Sequence, residues 1–249
     1  DQQEVDIWIQ DLRRGSRTRL SNEGSMELTR CWTPDGERIV FFTFPPTRTI
    51  FMRDLDPTAP LDSVASGMFP SLSSDGKLMV YEAQDSDGTH IELLDMTGSA
   101  DPVTLISGQG RYRNPRISPD DRYIAYASDE TGNDEIYLRT FPQGSHPARV
   151  SLEGGVDLVW TRDGKRIIYH DNEGLFVVEV VRDPRLELSR PVKLFDAKKG
   201  DFMLNRSFTV SPEGDRLVLV RKARPEISKT SADIVMVESW RRLLGDSSR

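Results

Sequence analysis

A short motif recurs along this chain about every 40 to 45 residues, and that period constrains the fold more than any single residue does. One half of the motif is a tight turn rich in Ser or Thr, Pro, Asp and Gly, with copies at residues 32–36, 72–76, 117–121, 160–164 and 210–214. The other half is an apolar strand, with copies at residues 7–9, 50–52, 91–93, 136–138, 175–177 and 234–236. A repeat of this length predicts the blades of a β-propeller, which are small sheets that must stack on their neighbours to bury their faces.

The strand directly after each turn is apolar on both faces, at residues 39–41, 79–81, 124–126, 167–169 and 217–219. Such a strand must be covered on both sides, as the inner strands of a propeller blade are. The next strand alternates between apolar and polar residues. A fourth, outer strand fits residues 17–20, 102–106, 148–151 and 191–195. The sequence therefore predicts an all-β propeller of four-stranded antiparallel blades, with five recognisable blades and a partial sixth.

We expect residues 1–249 to form one propeller domain, because nothing in the sequence marks a second domain. The strand at residues 7–9 has no inner strands ahead of it, so the chain is predicted to start within a blade and to be a piece of a longer protein. This strand is expected to pair with residues 17–20 as an incomplete blade. Residues 240–249 form a short C-terminal tail, and its Trp240 is expected to dock on the propeller because exposing it would be costly.

Each turn carries an acidic residue to which we assign a structural role, namely Asp35, Asp75, Asp120, Asp163 and Glu213. A carboxylate in this position can accept hydrogen bonds from backbone N–H groups just ahead, and a glycine at the end of the turn tolerates positive φ. Two turns depart from the pattern, since Asp121 replaces the glycine of the third and Glu213 replaces the aspartate of the fifth. Both replacements are predicted to weaken a turn without changing the fold.

Charge and hydropathy exclude two classes of partner. The net charge is -7 and the Lys and Arg residues are scattered, so no nucleic-acid partner is expected. The longest apolar stretch, about Leu175 to Val181, is short and contains Glu179, so no membrane insertion by this chain is expected. The one cysteine, Cys31, cannot form an internal disulfide and is expected to be a small buried hydrophobic residue.

The turns, in which Ser-Pro-Asp-Gly or a variant follows an apolar or aromatic residue and precedes an apolar strand, resemble the Pro-Asp variety of WD-like repeat in TolB-like six-bladed propellers. Residues 6–12, 135–142 and 191–195, with a final segment at Trp240, also resemble the propellers attached to bacterial serine/threonine kinases. That resemblance implies an extracytoplasmic location, periplasmic or at the cell surface, with a kinase domain elsewhere. The chain itself has no glycine-rich nucleotide loop and no His-Arg-Asp or Asp-Phe-Gly motif.

No catalytic constellation is recognisable, so we expect a non-enzyme with no cofactor and no metal site. The sequence lacks a Gly-x-Ser-x-Gly elbow and a Walker loop. Its histidines, His90, His146 and His170, lie in different repeats without a second metal ligand at useful spacing. The acidic loops at 85–88 and 128–134 lack the ligand spacing of an EF-hand. Two alternatives stay open, a propeller-type enzyme such as a lyase or hydrolase, and a structural scaffold for periplasmic protein assembly.

The favoured function is that of a binding or sensor module with its ligand at the mouth of the axial channel. The candidate contacts lie where one repeat's outer strand leads to the next inner strand, at Arg30, Phe69, Arg111, Tyr112, Arg113, Asp157 and Arg206. Guanidinium groups beside an aromatic ring, as at 111–113, can hold a carboxylate or a sugar face, whereas a solvated loop is the ordinary alternative. The expected partners are a protein, a peptide or a small polar ligand. Dimerisation through an open blade edge is also expected.

Overall fold

The computed structural model describes residues 7–20, 27–56, 58–98, 100–171, 173–182, 185–196, 208–222 and 232–238, with the backbone alone for 27–30, 219–222 and 232–238. Regular secondary structure in these residues consists of β-strands. No helix within these ranges has the length and apolar character needed to cross a membrane. The chain divides into two compact units, Asp1–Ile117 and Ser118–Arg249.

The first unit contains a two-stranded sheet, two four-stranded sheets and one further strand. The small sheet pairs β1 (Trp8–Gln10) with β2 (Arg17–Arg19). The first four-stranded sheet is formed in chain order by β3 (Glu27–Trp32), β4 (Arg38–Thr43), β5 (Thr49–Asp54) and β6 (Asp62–Ser66). The second is formed in the same order by β7 (Met68–Leu72), β8 (Leu78–Asp85), β9 (Gly88–Asp95) and β10 (Val103–Ile106). The last strand of this unit is β11 (Tyr112–Ile117).

The second unit continues the same pattern of antiparallel strands. The third repeat supplies β12 (Tyr123–Ser128), β13 (Glu135–Thr140) and β14 (Ala148–Arg149). The fourth supplies β15 (Asp157–Trp160), β16 (Arg166–His170), β17 (Gly174–Val181), β18 (Glu187–Leu188) and β19 (Val192–Asp196), and both β18 and β19 pair with β17. The fifth supplies β20 (Phe208–Val210), β21 (Arg216–Lys222) and β22 (Ala232–Glu238).

The strands predicted from the repeat are confirmed, and so is the pairing of the strand at Ile7 with the strand at Leu20. The Leu20 N–H donates to the Ile7 carbonyl at 2.8 Å, and Trp8 lies opposite Arg19 in the register. The sequence analysis missed β6 and the short β18. The prediction of one domain over residues 1–249 stays a prediction, and the tail at 240–249 lies outside the described residues.

Each inner strand buries both of its faces, as its composition requires. In β4, Ile39 and Phe41 pack with Leu20 on one side, while Val40 and Phe42 pack against the second sheet on the other. All four of these β4 side chains are almost completely inaccessible to solvent. Burying an apolar side chain of this size stabilises a protein by about 1.5–3 kcal/mol, so these central strands dominate the core energetics.

The second unit repeats this two-sided burial. In β16, Ile167 and Tyr169 belong to one buried cluster with Leu138 of β13. The intervening Ile168 belongs to a different cluster with Phe208 of β20. Successive side chains of one strand therefore pack against the sheets on its two sides, because strand side chains alternate between the two faces.

Hydroxyl and carboxylate groups close the turns between the first and second strands of the repeats. A Ser or Thr hydroxyl donates to the aspartate two residues ahead in four turns: Thr33 to Asp35, Ser73 to Asp75, Ser118 to Asp120 and Thr161 to Asp163. The same carboxylate accepts a backbone N–H at 3.0 Å in the first, second and fourth turns. The hydroxyl oxygen itself accepts the N–H five residues ahead.

Two turns differ from this pattern, as their sequences do. Asp121 takes φ 56° where the other turns place a glycine in the left-handed region, and aspartate is one of the few residues that adopt it readily. In the fifth turn the Ser211 hydroxyl donates to Asp215 at 2.8 Å. The serine hydroxyl of this turn thus donates to a carboxylate four residues ahead, whereas the other four turns use the aspartate two residues ahead.

Candidate functional site

The predicted contact residues fall into two groups, one in each unit. Phe69 and residues 111–113 lie in the first unit, and Asp157 lies in the second. The side chain of Arg30 and the whole of Arg206 lie outside the described residues. The first-unit group is the larger one, and its residue Tyr112 contacts the lining of a pocket.

Tyr112 anchors the segment that carries the two arginines. It is 2% exposed. Its N–H donates to the Thr89 hydroxyl at 3.1 Å, and its own hydroxyl lies against Gly108, where a Cβ atom would clash. The ring is therefore not available to stack on a ligand, and its role in this segment is to hold the strand in place. Arg111 is exposed and Arg113 is half-buried.

The direction of the strands brings this segment beside the β8–β9 hairpin at residues 85–88. The outer strand β10 runs antiparallel to β9 and ends at Ile106, next to the hairpin end of the sheet. At the opposite end of β11, the Ile117 N–H donates to the Ser71 hydroxyl of β7 at 3.1 Å. Two side-chain hydrogen bonds, one near each end, thus fix β11 against the second sheet.

A pocket of about 340 Å³ lies at the hairpin end of the second sheet. Its lining consists of polar residues and glycine: Asp85, Asp87, Gly88, Thr89, His90, Thr104, Ser107 and Gly108. Two of these residues, Thr89 and Gly108, also contact Tyr112. We call this feature the hairpin pocket. Its hydroxyls, carboxylates and imidazole can form hydrogen bonds with a polar ligand.

The titratable groups of the hairpin pocket are linked to one another. The His90 ring lies between two carboxylates, with Nδ1 3.6 Å from Asp85 Oδ2 and Nε2 3.4 Å from Glu92 Oε1. Glu92 also accepts the hydroxyl of Tyr81, and burial together with this carboxylate raises the pKa of Tyr81 far above its ordinary value. Asp85 Oδ1 accepts the N–H of Asp87 at 2.8 Å. These contacts make the wall of the pocket rigid and acidic.

Phe69 is a packing residue with an unusual backbone. Its ring lies edge-on to Phe42 with 4.8 Å between centroids, and its φ is 61°. Asn114 takes φ 54° at the corresponding position of β11, and each of the two residues precedes a proline. The register of β7 against β8 is shifted between Met68 and Ser71. A bulge therefore sets the start of this inner strand, and positive φ in a phenylalanine is a strained arrangement that the surrounding packing maintains.

Asp157 is 3% exposed at the start of β15. Its carboxylate accepts the N–H of Leu158 at 3.0 Å, and its register partner in β16 is His170. The His170 ring packs edge-on against Phe208 with 5.9 Å between centroids. These residues form a local arrangement within the second unit.

Sequence reasoning overlooked most of the hairpin pocket. Asp85 and Asp87 were considered only as part of an acidic loop without EF-hand spacing, and Thr89, Thr104 and Ser107 carried no recognised motif. The strand order contains a signal for this pocket. In an antiparallel sheet, the segment that leaves the outer strand starts at the same end as the hairpin between the second and third strands. The segment after β10 is therefore expected beside the hairpin at residues 85–88.

Across the described residues, no group of three or more His, Cys, Asp or Glu side chains is arranged to hold a metal ion. His146 is exposed in a loop. Cys31 is half-buried and packs against the apolar cluster of the first two sheets, and its burial raises the pKa of the thiol to about 11.

Comparison with solved structures shows the fold. TolB from Acinetobacter baumannii has a TM-score of 0.73 at 21% identity, over 95% of this chain and 58% of that one. Hydrazine synthase of Kuenenia stuttgartiensis has a TM-score of 0.65 at 13% identity, over 94% and 77%. An oligogalacturonate lyase in complex with manganese has a TM-score of 0.62 at 10% identity, over 95% and 83%.

The chain thus spans 58% of the length of that TolB chain. No protein-family model matches the sequence, and no curated protein matches it significantly. At these identities the likeness concerns the fold. The predicted fold class is confirmed: the chain is an all-β, TolB-like β-propeller of four-stranded antiparallel blades, with five recognisable blades and a partial sixth.

Proposed function

We propose that this chain is a non-catalytic binding module of a larger bacterial protein, and that it takes a polar ligand in the hairpin pocket. The observation that carries the proposal is the lining of that pocket, in which every residue is polar or glycine. Its volume of about 340 Å³ is at the lower end of the range usual for small-molecule sites. The TolB-like fold supports a binding or scaffold role, since propeller loops commonly carry function.

The charges around the pocket define the ligand class. The carboxylates of Asp85 and Asp87 offer acceptors to hydroxyl or ammonium groups, and the hydroxyls of Thr104 and Ser107 offer donors. The exposed Arg111 lies one residue from Tyr112, which contacts the pocket lining, and can pair with a carboxylate. The ligand that fits both sets of groups is a small polar molecule bearing a carboxylate, such as a peptide end or an acidic cell-wall sugar fragment.

We propose binding rather than catalysis because the pocket's acidic and basic groups already satisfy one another. Asp85 holds the hairpin backbone, and His90 lies between Asp85 and Glu92. A general base is more effective when its lone pair faces substrate. Incubation with manganese and oligogalacturonate should give no new unsaturated product. Product formation at a rate that depends on His90 would overturn this part of the proposal.

A ligand screen by thermal shift, followed by calorimetric titration of the best hit, tests the site. Arg111→Ala should weaken binding by about 1.5–3 kcal/mol for a charge-assisted hydrogen bond removed. Thr104→Val should also weaken it, because this change removes a hydroxyl of the lining at nearly constant volume. Arg13→Ala removes an exposed arginine elsewhere in the first unit and is the matched control. Equal affinity for the wild type and both site variants would refute the proposed site.

The setting of the module is also a proposal. We propose an extracytoplasmic location and attachment to a receptor-type serine/threonine kinase, supported by the resemblance of residues 6–12, 135–142 and 191–195 to such propellers. The full-length reading frame tests this directly, since a kinase domain and a membrane helix upstream are expected. Dimerisation through the edge of the β1–β2 sheet is expected as well. Sedimentation that gives only a monomer at high protein concentration would contradict this expected dimerisation.

A further inference from the structure

The second unit contains a basic pocket that the proposed function does not use. It has a volume of about 440 Å³ and lies where the turn of the fourth repeat meets the end of β17. Four cationic side chains line it: Arg122, Lys165, Arg166 and Arg182. Two acidic side chains, Asp163 and Glu179, also contribute to the lining. The lining therefore has an excess of two positive charges in a chain whose net charge is -7.

Two of the four cations are neutralised and held in place. Arg166 donates from Nε and Nη2 to Glu179 at 3.2 and 3.0 Å. Arg182 donates to Asp120 at 2.8 Å and to the Gly164 carbonyl. Because these groups are already bonded, they supply a rigid wall rather than free charge.

Aromatic rings complete the support of Arg182. Its guanidinium carbon lies 5.7 Å from the ring centroids of both Tyr123 and Trp160, and its side chain is only 13% exposed. Arg122 lies over the same Tyr123 ring at 5.9 Å. The ring stacking orients these guanidinium groups before any ligand arrives, which lowers the entropic cost of binding.

The other two cations, Arg122 and Lys165, are exposed, and together with the Asp163 carboxylate they leave the lining one positive charge in excess after the two ion pairs. In the part of the chain that the structure describes, neither Arg122 nor Lys165 has a carboxylate within salt-bridge distance. Both side chains are exposed, so their charged groups are accessible to a ligand. The 50% exposed Val181 adds an apolar surface beside them.

From this arrangement we propose that the basic pocket binds a small oxyanion-bearing molecule, with Arg122 and Lys165 as the charge-pairing residues. The chemistry that fits is a compact molecule with two or more carboxylate or phosphate groups, because two cations without a carboxylate partner line the same pocket as two guanidinium groups held by ion pairs. The apolar edge at Val181 suits the carbon skeleton of such a molecule. This proposal concerns the second unit and is independent of the hairpin pocket.

Calorimetric titration at low ionic strength with citrate and, separately, with inorganic phosphate tests the site. Saturable binding of at least one probe is expected, and the difference between the two shows which oxyanion the pocket prefers. Arg122→Gln/Lys165→Gln should weaken the binding by about tenfold or more, because each lost charge-assisted hydrogen bond has a large effect. Circular dichroism and the melting temperature check that this variant is folded.

The matched control is Arg13→Gln/Arg190→Gln, which removes the same two charges from exposed positions outside the pocket. It should bind within about twofold of the wild type, since scattered surface charges act weakly. Absence of binding of both probes to the wild type would overturn the proposal. An equal loss in both double variants would overturn it too, because the effect would then be one of net charge. Neither outcome bears on Arg111 or the hairpin pocket, so the proposed function and the proposal for the basic pocket can fail separately.

Discussion

Glu135, the first residue of β13, provides the sharpest test of how the second unit is held together. Its side chain is 3% exposed, and its two oxygens accept hydrogen bonds from Arg149, from the hydroxyl of Ser151 and from the N–H of Gly154. Ser151 is completely buried and its hydroxyl oxygen accepts the N–H of Ile136 at 2.7 Å. One carboxylate thus organises the link between β13 and the loop that follows β14.

The expected loss follows from these contacts. Breaking a buried ion pair by removing one partner costs about 3–5 kcal/mol. The Arg149 side chain is 42% exposed, so water replaces part of the hydrogen bonding that Arg149 loses. We therefore expect Glu135→Ala to lower the free energy of unfolding by about 3 kcal/mol. Glu135→Gln keeps one acceptor for Ser151 and should cost about 1–2 kcal/mol. At about 2–4 °C per kcal/mol for a chain of this size, the alanine variant should melt about 6–12 °C lower.

Urea unfolding, followed by circular dichroism and tryptophan fluorescence, measures these differences. Glu153→Ala is the matched control, because Glu153 is an exposed carboxylate in the same loop. This control should change the free energy of unfolding by less than about 0.5 kcal/mol. If Glu135→Ala is as stable as Glu153→Ala, the reasoning about this buried carboxylate is wrong.

Three further predictions concern the turns and the cysteine. Asp163→Ala should lower the free energy of unfolding in urea by about 1–3 kcal/mol and leave binding at the hairpin pocket unchanged; lost binding at native stability would contradict this. Hydrogen bonds from the Thr33 hydroxyl and backbone N–H groups lower the pKa of Asp35, and the Lys77 N–H and a serine hydroxyl lower that of Asp75. The stabilising effect of these two carboxylates is therefore present above the ordinary pKa of 3.8 and is lost as pH falls through the lowered pKa values. In a plot of the free energy of unfolding against pH, Asp35→Asn/Asp75→Asn should therefore show a smaller decrease at acid pH than the wild type. With its pKa raised to about 11, Cys31 should react with a disulfide reagent much more slowly in the folded protein than in urea, and equal rates would refute its burial.

The repeat and its turns could be derived from the sequence because they depend on neighbouring residues. A Ser or Thr, an Asp two residues ahead and a glycine determine a turn within a few bonds, as at Thr161 to Gly164. The doubly apolar strand after each turn requires cover on both sides, and the packing of Val40 and Ile39 into different clusters satisfies that requirement. Local turn chemistry and strand periodicity were therefore enough to predict a propeller of four-stranded blades.

The sites depend on which distant residues the folded chain brings together, and only the tertiary structure decided that. Tyr112 belongs to an exposed-looking Arg-Tyr-Arg segment, yet Thr89 and Gly108 enclose it, so it supports the strand and leaves its neighbour Arg111 at the surface. The basic pocket joins Arg122 to Lys165 across two repeats. No periodicity in the sequence encodes such pairs, because they arise from the packing of sheets whose facing side chains are far apart along the chain.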